Sequence, residues 1–154
     1  MADRPRTEFP RYLERQIRDE MNDTRVVMIA GPRQAGKTTL AKKIGDDKRP
    51  YVTLDDEGVY QATTTDPVSF IRQFECVTID EIQRVPELIR EIKISVDQDQ
   101  RPGRFLLTGS ANIFSSYWVE GFFVRKGALL LWMSFTGLAV FRRIRGAGLS
   151  PRAV

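Results

Sequence analysis

Histidine is absent from this chain of 154 residues, and cysteine occurs once, as Cys76. Without histidine the chain cannot use Ser-His-Asp or Cys-His catalysis or hold a histidine-bound zinc ion. One cysteine excludes an internal disulfide and a metal site built from several thiolates. The chemistry that remains rests on carboxylates, lysine, arginine and hydroxyl groups, which suits magnesium and phosphate.

Long apolar runs are also scarce. Residues 1–15 are rich in charged side chains and lack the apolar core of a signal peptide. The uncharged stretch 127–141 has fifteen residues, fewer than the roughly 20 apolar residues that a membrane-crossing helix needs. We therefore expect a cytoplasmic protein without a membrane span.

The composition is that of an ordinary folded domain, with 42% hydrophobic and 29% charged residues and a net charge of +4. The charge is uneven, because residues 113–154 hold six basic side chains and a single acidic one, Glu120. The rest of the chain is close to neutral. Binding to nucleic acid is therefore only weakly indicated for the main domain.

Short apolar runs alternate with helical patterns along the first 112 residues. The runs that predict β-strands are residues 26–30, 51–54, 76–79 and 104–108. Apolar residues at helical spacing predict helices after Pro10, from Lys37 to Ile44, from Pro67 with Asp66 as its cap, and from Pro86. This order predicts an α/β fold, a three-layer parallel sheet with helices on both faces.

One loop carries a specific phosphate-binding pattern, G-x-x-x-x-G-K-[ST], between the first strand and the following helix. Its glycines let backbone N–H groups approach a phosphate chain, its lysine supplies a positive charge, and its threonine offers a hydroxyl group to Mg²⁺. We call residues 31–38 the phosphate loop. The residues predicted to bind the nucleotide are Gly31, Pro32, Arg33, Gln34, Ala35, Gly36, Lys37, Thr38 and Thr39.

Two acidic residues follow the third predicted strand at its carboxyl end, where ligands bind in open α/β sheets. Asp80 is predicted to hold Mg²⁺ together with Thr38, and Glu81 to polarise the water that attacks the terminal phosphate, with Lys37 assisting. The alternative is that Asp80 and Glu81 only cap a strand or the next helix.

Other candidates are less specific. Residues 108–112 end the fourth strand. A polar side chain there either senses the terminal phosphate or only caps a turn. Ser110 is the residue of this stretch that is predicted to contact the nucleotide. The pair Asp55–Asp56 is expected to be a cap or turn. Arg33, within the phosphate loop, and Arg84 are candidate charges for phosphate, but for each side chain a solvated surface position is the favoured interpretation. Cys76 is expected to be an inert core residue within a strand.

The stretches GPRQAGKTTL, VTLDD, TIDEIQRVPEL and RPGRFLLTGSAN together resemble the prokaryotic AAA+-like P-loop ATPases that carry a C-terminal domain of unknown function. The resemblance runs from about residue 9 to residue 112. It implies ATP and Mg²⁺ as cofactors, ATP hydrolysis, and a sensor role near residues 108–112. It does not imply a macromolecular substrate.

The resemblance ends after residue 112, where an aromatic and basic segment, residues 113–154, begins. We divide the chain into a helical lead-in (1–22), an ATPase core (23–112) and this C-terminal segment (113–154), which a truncated or frameshifted gene would explain. We then expect a sheet that ends at its fourth strand, a loosely packed C-terminal segment and a chain that self-associates.

The sequence therefore favours binding and hydrolysis of Mg-ATP. A nucleotide-dependent module that binds a partner or DNA without appreciable hydrolysis stays open, as does a non-functional gene remnant. A kinase is less favoured, because the acidic pair suits activation of water better than of a substrate hydroxyl. A second copy of the chain or another protein stays open as a partner.

Overall fold

The computed structural model describes residues 11–45, 47–110 and 128–131. Five strands and five α-helices, with one short 3-10 helix, make up these residues. In chain order the elements are α1 Arg11–Asp23, β1 Val26–Ala30, α2 Lys37–Gly45, β2 Tyr51–Thr53, α3 Glu57–Thr65, α4 Pro67–Arg72, β3 Val77–Asp80, the 3-10 helix Ile82–Arg84, α5 Leu88–Gln98, β4 Phe105–Gly109 and β5 Ala128–Leu131.

The five strands form one parallel sheet in the order β2-β3-β4-β1-β5. Strand β4 therefore lies between β1, which leads into the phosphate loop, and β3, which leads into Asp80 and Glu81. Because all strands run the same way, their carboxyl ends lie at one edge of the sheet. The predicted α/β fold with a parallel sheet is confirmed.

Helices cover both faces of this sheet. On one face, Met28 and Leu107 pack in a cluster with residues of α4 and α5. On the other face, Val27 and Leu106 pack with Ile17 of α1 and with residues of α2. All five residues of β1 and of β4 are buried, as near-continuous apolar runs predict for a sheet covered on both sides.

Aspartate residues cap the N-termini of two helices. The Asp66 carboxylate accepts a hydrogen bond from the Ser69 N–H at 3.0 Å and caps α4. In the same way Asp56 accepts from the Val59 N–H at 3.0 Å and caps α3. The expectation that Asp56 is a cap is confirmed, although the sequence did not predict the helix that it caps.

The C-terminal segment contributes a strand, so the expectation that the sheet ends at its fourth strand is wrong. Strand β5 pairs with β1, from Val27 beside Ala128 to Ala30 beside Leu131. A short apolar run of this kind does not reveal by periodicity whether it is a strand or a buried helix turn. The rest of residues 113–154 lies outside the described residues, so loose packing, self-association and the frameshift stay predictions.

Cys76 is half-buried and lies just before β3, which begins one residue later than expected. The prediction of a core cysteine within a strand is therefore wrong. Among the helices that the structure describes, none combines the length and apolar character needed to cross a bilayer.

Candidate functional site

The phosphate loop joins β1 to α2 at the carboxyl edge of the sheet. The N–H of Gly31 donates to the carbonyl of Gly109 at 3.2 Å, which ties the start of the loop to the end of β4. Helix α2 begins at Lys37, so its free N-terminal amides and its positive dipole end face the loop. The loop thus has the geometry of an anion-binding turn.

The backbone of the loop uses left-handed conformations at two positions, Gln34 with φ of 59° and Gly36 with φ of 83°. Glycine adopts this region without steric cost, which explains the fixed glycine before the lysine. The N–H of Ala35 donates to the Pro32 carbonyl at 3.4 Å, closing a turn. Arg33, Gln34 and Thr39 are exposed to solvent.

Lys37 is only 6% exposed. Its Nζ donates to the Pro32 carbonyl oxygen at 2.7 Å, across the phosphate loop. Burial lowers the pKa of Lys37, while the nearby charges of Glu81 and Asp80 act in the opposite direction. The ammonium group therefore lies between the loop and the acidic pair, where an anion with several oxygens would balance it.

Asp80 is 4% exposed and accepts hydrogen bonds from hydroxyl groups on several elements. Thr38 Oγ1 lies 3.0 Å from Oδ1 and 3.1 Å from Oδ2 of Asp80. The Tyr51 hydroxyl donates to Oδ2 at 2.8 Å, and the buried Thr108 hydroxyl donates to Oδ1. Thr53 Oγ1 lies farther away, 3.4 Å from Oδ2. The structure thus brings together the two residues that were predicted to hold Mg²⁺.

The sequence reading missed Tyr51, Thr53 and Thr108 as partners of Asp80. Burial raises the pKa of Tyr51 well above its usual value, and the hydrogen bond to Asp80 adds to this shift. The register places Thr53 beside Asp80 and Tyr51 beside Thr78, which puts polar side chains of β2 on the same face as Asp80. The alternation of polar and apolar residues in Tyr51-Val52-Thr53 is the sequence signal that could have indicated this polar face.

Glu81 directly follows β3 in a left-handed conformation, with φ of 61°. Its N–H donates to Thr108 Oγ1 at 3.1 Å, and its Oε2 accepts a hydrogen bond from Gln83 Nε2. Gln83 Oε1 in turn accepts from the Ser110 N–H at 3.2 Å. Gln83 therefore links the Glu81 carboxylate to the end of β4, a link that the sequence reading missed.

Ser110 takes part in this link through its backbone, while its predicted role toward the nucleotide stays a prediction. Ala111 and Asn112, the other residues of the predicted sensor stretch, lie outside the described residues. Gly109 permits the link, because a Cβ at this position would lie 2.8 Å from Gln83 Oε1. Glycine at position 109 therefore leaves room for the Gln83 amide, which an added methyl group would displace.

Two further candidates pair with each other. Arg84 and Asp55 form an exposed ion pair at 2.8 Å, and the Arg84 guanidinium carbon lies 5.3 Å from the centre of the Tyr60 ring. The expectation that Arg84 is a surface residue agrees with its 41% exposed side chain. Asp55 is thus an ion-pair partner at the surface.

The donor set fits a magnesium ion held mainly by phosphate and water. Among the described residues, no group of three or more acidic or cysteine side chains lies together as a metal cage. Mg²⁺ in nucleotide sites keeps several waters and needs only one or two protein ligands beside the phosphates. A threonine hydroxyl beside a buried aspartate, next to an anion-binding turn, meets that requirement.

The fold and the loop define a P-loop nucleotide-binding protein. A family model described as "AAA domain" matches residues 23–135. The chain therefore belongs to this family of AAA+-like P-loop ATPases. The match continues past residue 112, where the sequence resemblance was expected to end.

Two mycobacterial relatives are named as uncharacterized proteins, Rv2008c of Mycobacterium tuberculosis and Mb2031c of Mycobacterium bovis. Each is 39% identical to this chain over 99 residues, which cover 63% of this chain and 22% of the relative. The chain thus spans about a fifth of the length of these relatives.

Among solved structures, a DNA replication initiation factor has the same fold, with a TM-score of 0.55 and 13% identity. The match covers 78% of this chain and 44% of that chain. The cytoplasmic domain of EssC gives a TM-score of 0.46 at 14% identity, over 81% of this chain and 35% of that chain.

Proposed function

We propose that the chain binds Mg-ATP at the phosphate loop and hydrolyses it. The observation that carries this proposal is the contact of Thr38 with both oxygens of Asp80, at 3.0 and 3.1 Å. Two sequence patterns 42 residues apart meet there, a phosphate-binding turn and a buried carboxylate. That combination is what a magnesium nucleotide requires of a P-loop protein.

The phosphates would lie against the backbone of the phosphate loop and the first turn of α2. Lys37 would then exchange its contact with the Pro32 carbonyl for the oxygens of the β- and γ-phosphates. That exchange replaces a neutral acceptor with a charged one, and charge-assisted hydrogen bonds are about twice as strong. The burial that lowers the pKa of Lys37 makes an added anion more favourable here.

Thr38 and Asp80 would hold the magnesium ion. When bound, Mg²⁺ neutralises charge on the β- and γ-phosphate oxygens. Because the Thr38 hydroxyl donates its proton to Asp80, the lone pairs of its oxygen stay available to a cation. Asp80 is held by four hydroxyl groups and would act on the waters around that cation.

Glu81 would orient the water that attacks the terminal phosphate and accept its proton. Its left-handed backbone and its bond to Gln83 fix the direction of its carboxylate. This contact also gives weight to the alternative function, a nucleotide-dependent binding module with negligible hydrolysis. A carboxylate that already accepts from Gln83 has less capacity to orient water.

The family match also supports a proposal about protein partners. A second copy of the chain or another protein is proposed as a partner, on the grounds that AAA-type domains commonly oligomerise. The cytoplasmic location stays a prediction.

The substitution Glu81→Gln tests the catalytic proposal. We expect ATP affinity, measured by calorimetry, to stay within about twofold of the parent, because the phosphate loop and Asp80 are unchanged. Hydrolysis, measured as released phosphate, should fall by about 10²-fold or more, as for loss of a general base. The matched control is Glu87→Gln, an exposed glutamate just before α5, which should leave both quantities unchanged.

Four outcomes separate the alternatives. A parent that binds ATP without turnover favours the binding module. Unchanged hydrolysis in Glu81→Gln removes Glu81 from the reaction, and loss of ATP binding makes it a ligand or a structural residue. A parent that does not bind ATP refutes the proposed function as a whole.

A further inference from the structure

Strand β2 supplies a donor to the carboxylate of Asp80 that the phosphate-binding pattern does not include. The Tyr51 hydroxyl lies 2.8 Å from Asp80 Oδ2. Strand β2 pairs directly with β3, so this contact crosses between neighbouring strands of the sheet. Tyr51 thus reaches the site from the side opposite to β4.

The Asp80 carboxylate accepts hydrogen bonds from two directions. On the β4 side, the Thr108 hydroxyl donates to Oδ1. On the β2 side, Tyr51 donates to Oδ2, and Thr38 lies near both oxygens. Two donors on opposite oxygens fix the rotation of the carboxylate plane, which one donor would leave free.

Packing alone does not hold the Tyr51 ring. Its residue is half-buried, and a cavity of about 200 Å³ lies beside it, lined by Ala41, Gly45 and Thr78 among others. The ammonium group of Lys42 lies 4.7 Å from the centre of the ring, within the range of a cation–π contact. The hydroxyl bond to Asp80 and the contact with Lys42 therefore define where the ring sits.

We propose that Tyr51 is a positioning residue, which sets the orientation of the Asp80 carboxylate toward the magnesium ion of the bound nucleotide. The inference rests on the proposed function and adds a determinant of magnesium affinity that lies outside the phosphate loop and the acidic pair. Without the Tyr51 hydroxyl, the hydroxyl groups left near Asp80 Oδ2 would be those of Thr38 at 3.1 Å and Thr53 at 3.4 Å. The carboxylate would then have to be ordered when the cation binds, and that cost would appear in magnesium affinity.

The test is Tyr51→Phe, which removes one oxygen atom and keeps the ring. ATP binding is titrated calorimetrically at a series of Mg²⁺ concentrations and in EDTA. We expect the affinity in EDTA to match the parent, and the Mg²⁺ concentration for half of the magnesium effect to rise about 3- to 10-fold, the range for one hydrogen bond. The control is Tyr60→Phe, which removes a tyrosine hydroxyl near Arg84 and should leave the magnesium requirement unchanged.

A double variant separates positioning from general stability. In an Asp80→Asn background, Tyr51→Phe should cause no further change in the magnesium requirement, because Tyr51 acts through that carboxylate. If Tyr51→Phe raised the magnesium requirement by the same factor in the Asp80→Asn background as in the parent, the proposal would be overturned. A parent-like magnesium requirement in Tyr51→Phe, or a shift of the same size in Tyr60→Phe, would also overturn it.

Thermal melting without nucleotide completes the test. Loss of cooperative melting in Tyr51→Phe would assign the hydroxyl to the fold and overturn the positioning role. A parent that binds ATP without any magnesium effect would refute this inference and the magnesium site while leaving the phosphate site in place. A parent that fails to bind ATP would refute the proposed function together with the inference.

Discussion

Single glycines decide how closely the elements around the sheet approach each other. Gly36 gives the phosphate loop its left-handed turn, and Gly109 leaves room for Gln83. Gly103, in the turn before β4, has φ of 71°, and its N–H donates to the Thr24 carbonyl at 2.7 Å. A Cβ at position 103 would lie 2.8 Å from the backbone oxygen of Met21, at the end of α1.

Gly103→Ala should therefore destabilise the fold. Both the left-handed backbone and the clash with a backbone oxygen act against the methyl group, and we expect a loss of about 2 kcal/mol or more in the free energy of unfolding. Denaturant unfolding measures it. Gly45→Ala is the control, because its added Cβ would meet Thr78 Oγ1 at 3.5 Å, an ordinary contact. Equal stability of the two variants would contradict this account.

At this scale the sequence predicted the residues whose identity a local pattern specifies. Lys37 and Thr38 follow from the loop pattern, and Asp80 from its place after an apolar strand. Tyr51 and Gln83 were not predicted, because their roles depend on which strands are neighbours. Only the order β2-β3-β4 brings a tyrosine of one strand and the end of another onto the same acidic pair.

Among the elements, α1 supports the helix that carries Lys37 and Thr38. The Arg18 guanidinium donates to the Ile44 and Lys43 carbonyls at 3.2 and 3.1 Å, which satisfies acceptors at the C-terminal end of α2. Glu14 joins the same contact by pairing with Lys43 at 2.9 Å. The pKa of Glu14 is lowered, first by its bond to Lys43 and then by Arg18.

Glu14→Gln should give a pH-dependent loss of stability. A carboxylate whose pKa is lower in the fold stabilises the fold above its unfolded pKa, about 4.3, and loses that effect as pH falls through the lowered value. The melting temperature of Glu14→Gln should thus lie slightly below the parent at pH 7, and the difference should shrink under acid conditions. Glu87→Gln is the control. A difference that stays constant from pH 7 into acid would exclude the ion pairs as its cause.

Most helices and strands could be predicted because the spacing of their apolar residues and their capping residues indicate the same element. Helix α4, with Asp66 as its cap and Pro67 as its first residue, is an example. Helix α3 was missed because Gly58 and the threonines 63–65 have low helix propensity. Asp56 caps its start, Thr63 is buried, and Val59 and Tyr60 pack against the hydrophobic core. Tertiary burial of this kind has no local signal in the sequence.

Across the whole molecule, the position of β1 in the sheet depends on β5. With β5 in place, β1 is an interior strand between β4 and β5. Without it, β1 would be an edge strand with unpaired backbone groups, next to the phosphate loop. The fifth strand could not be predicted, because its partner strand lies 101 residues earlier in the chain, with Val27 beside Ala128.

A chain shortened to residues 1–112 should accordingly melt at a lower temperature than the parent and self-associate more. The control is a chain shortened to residues 1–135, where the family match ends, which keeps Ala128–Leu131. Thermal melting and light scattering measure the two effects. Parent-like melting and a monomeric state in the 1–112 chain would show that β5 does not support the sheet.

The most direct test of the central claim is a calorimetric titration of ATP into the parent and into Lys37→Ala, each with Mg²⁺ present. We expect the parent to bind and Lys37→Ala to bind at least about tenfold more weakly, a loss of about 1.4 kcal/mol or more, since a charge-assisted contact is removed. Lys93→Ala, at an exposed lysine of α5, should bind like the parent. Equal affinity of Lys37→Ala and the parent would contradict the assignment of residues 31–38 as the phosphate site.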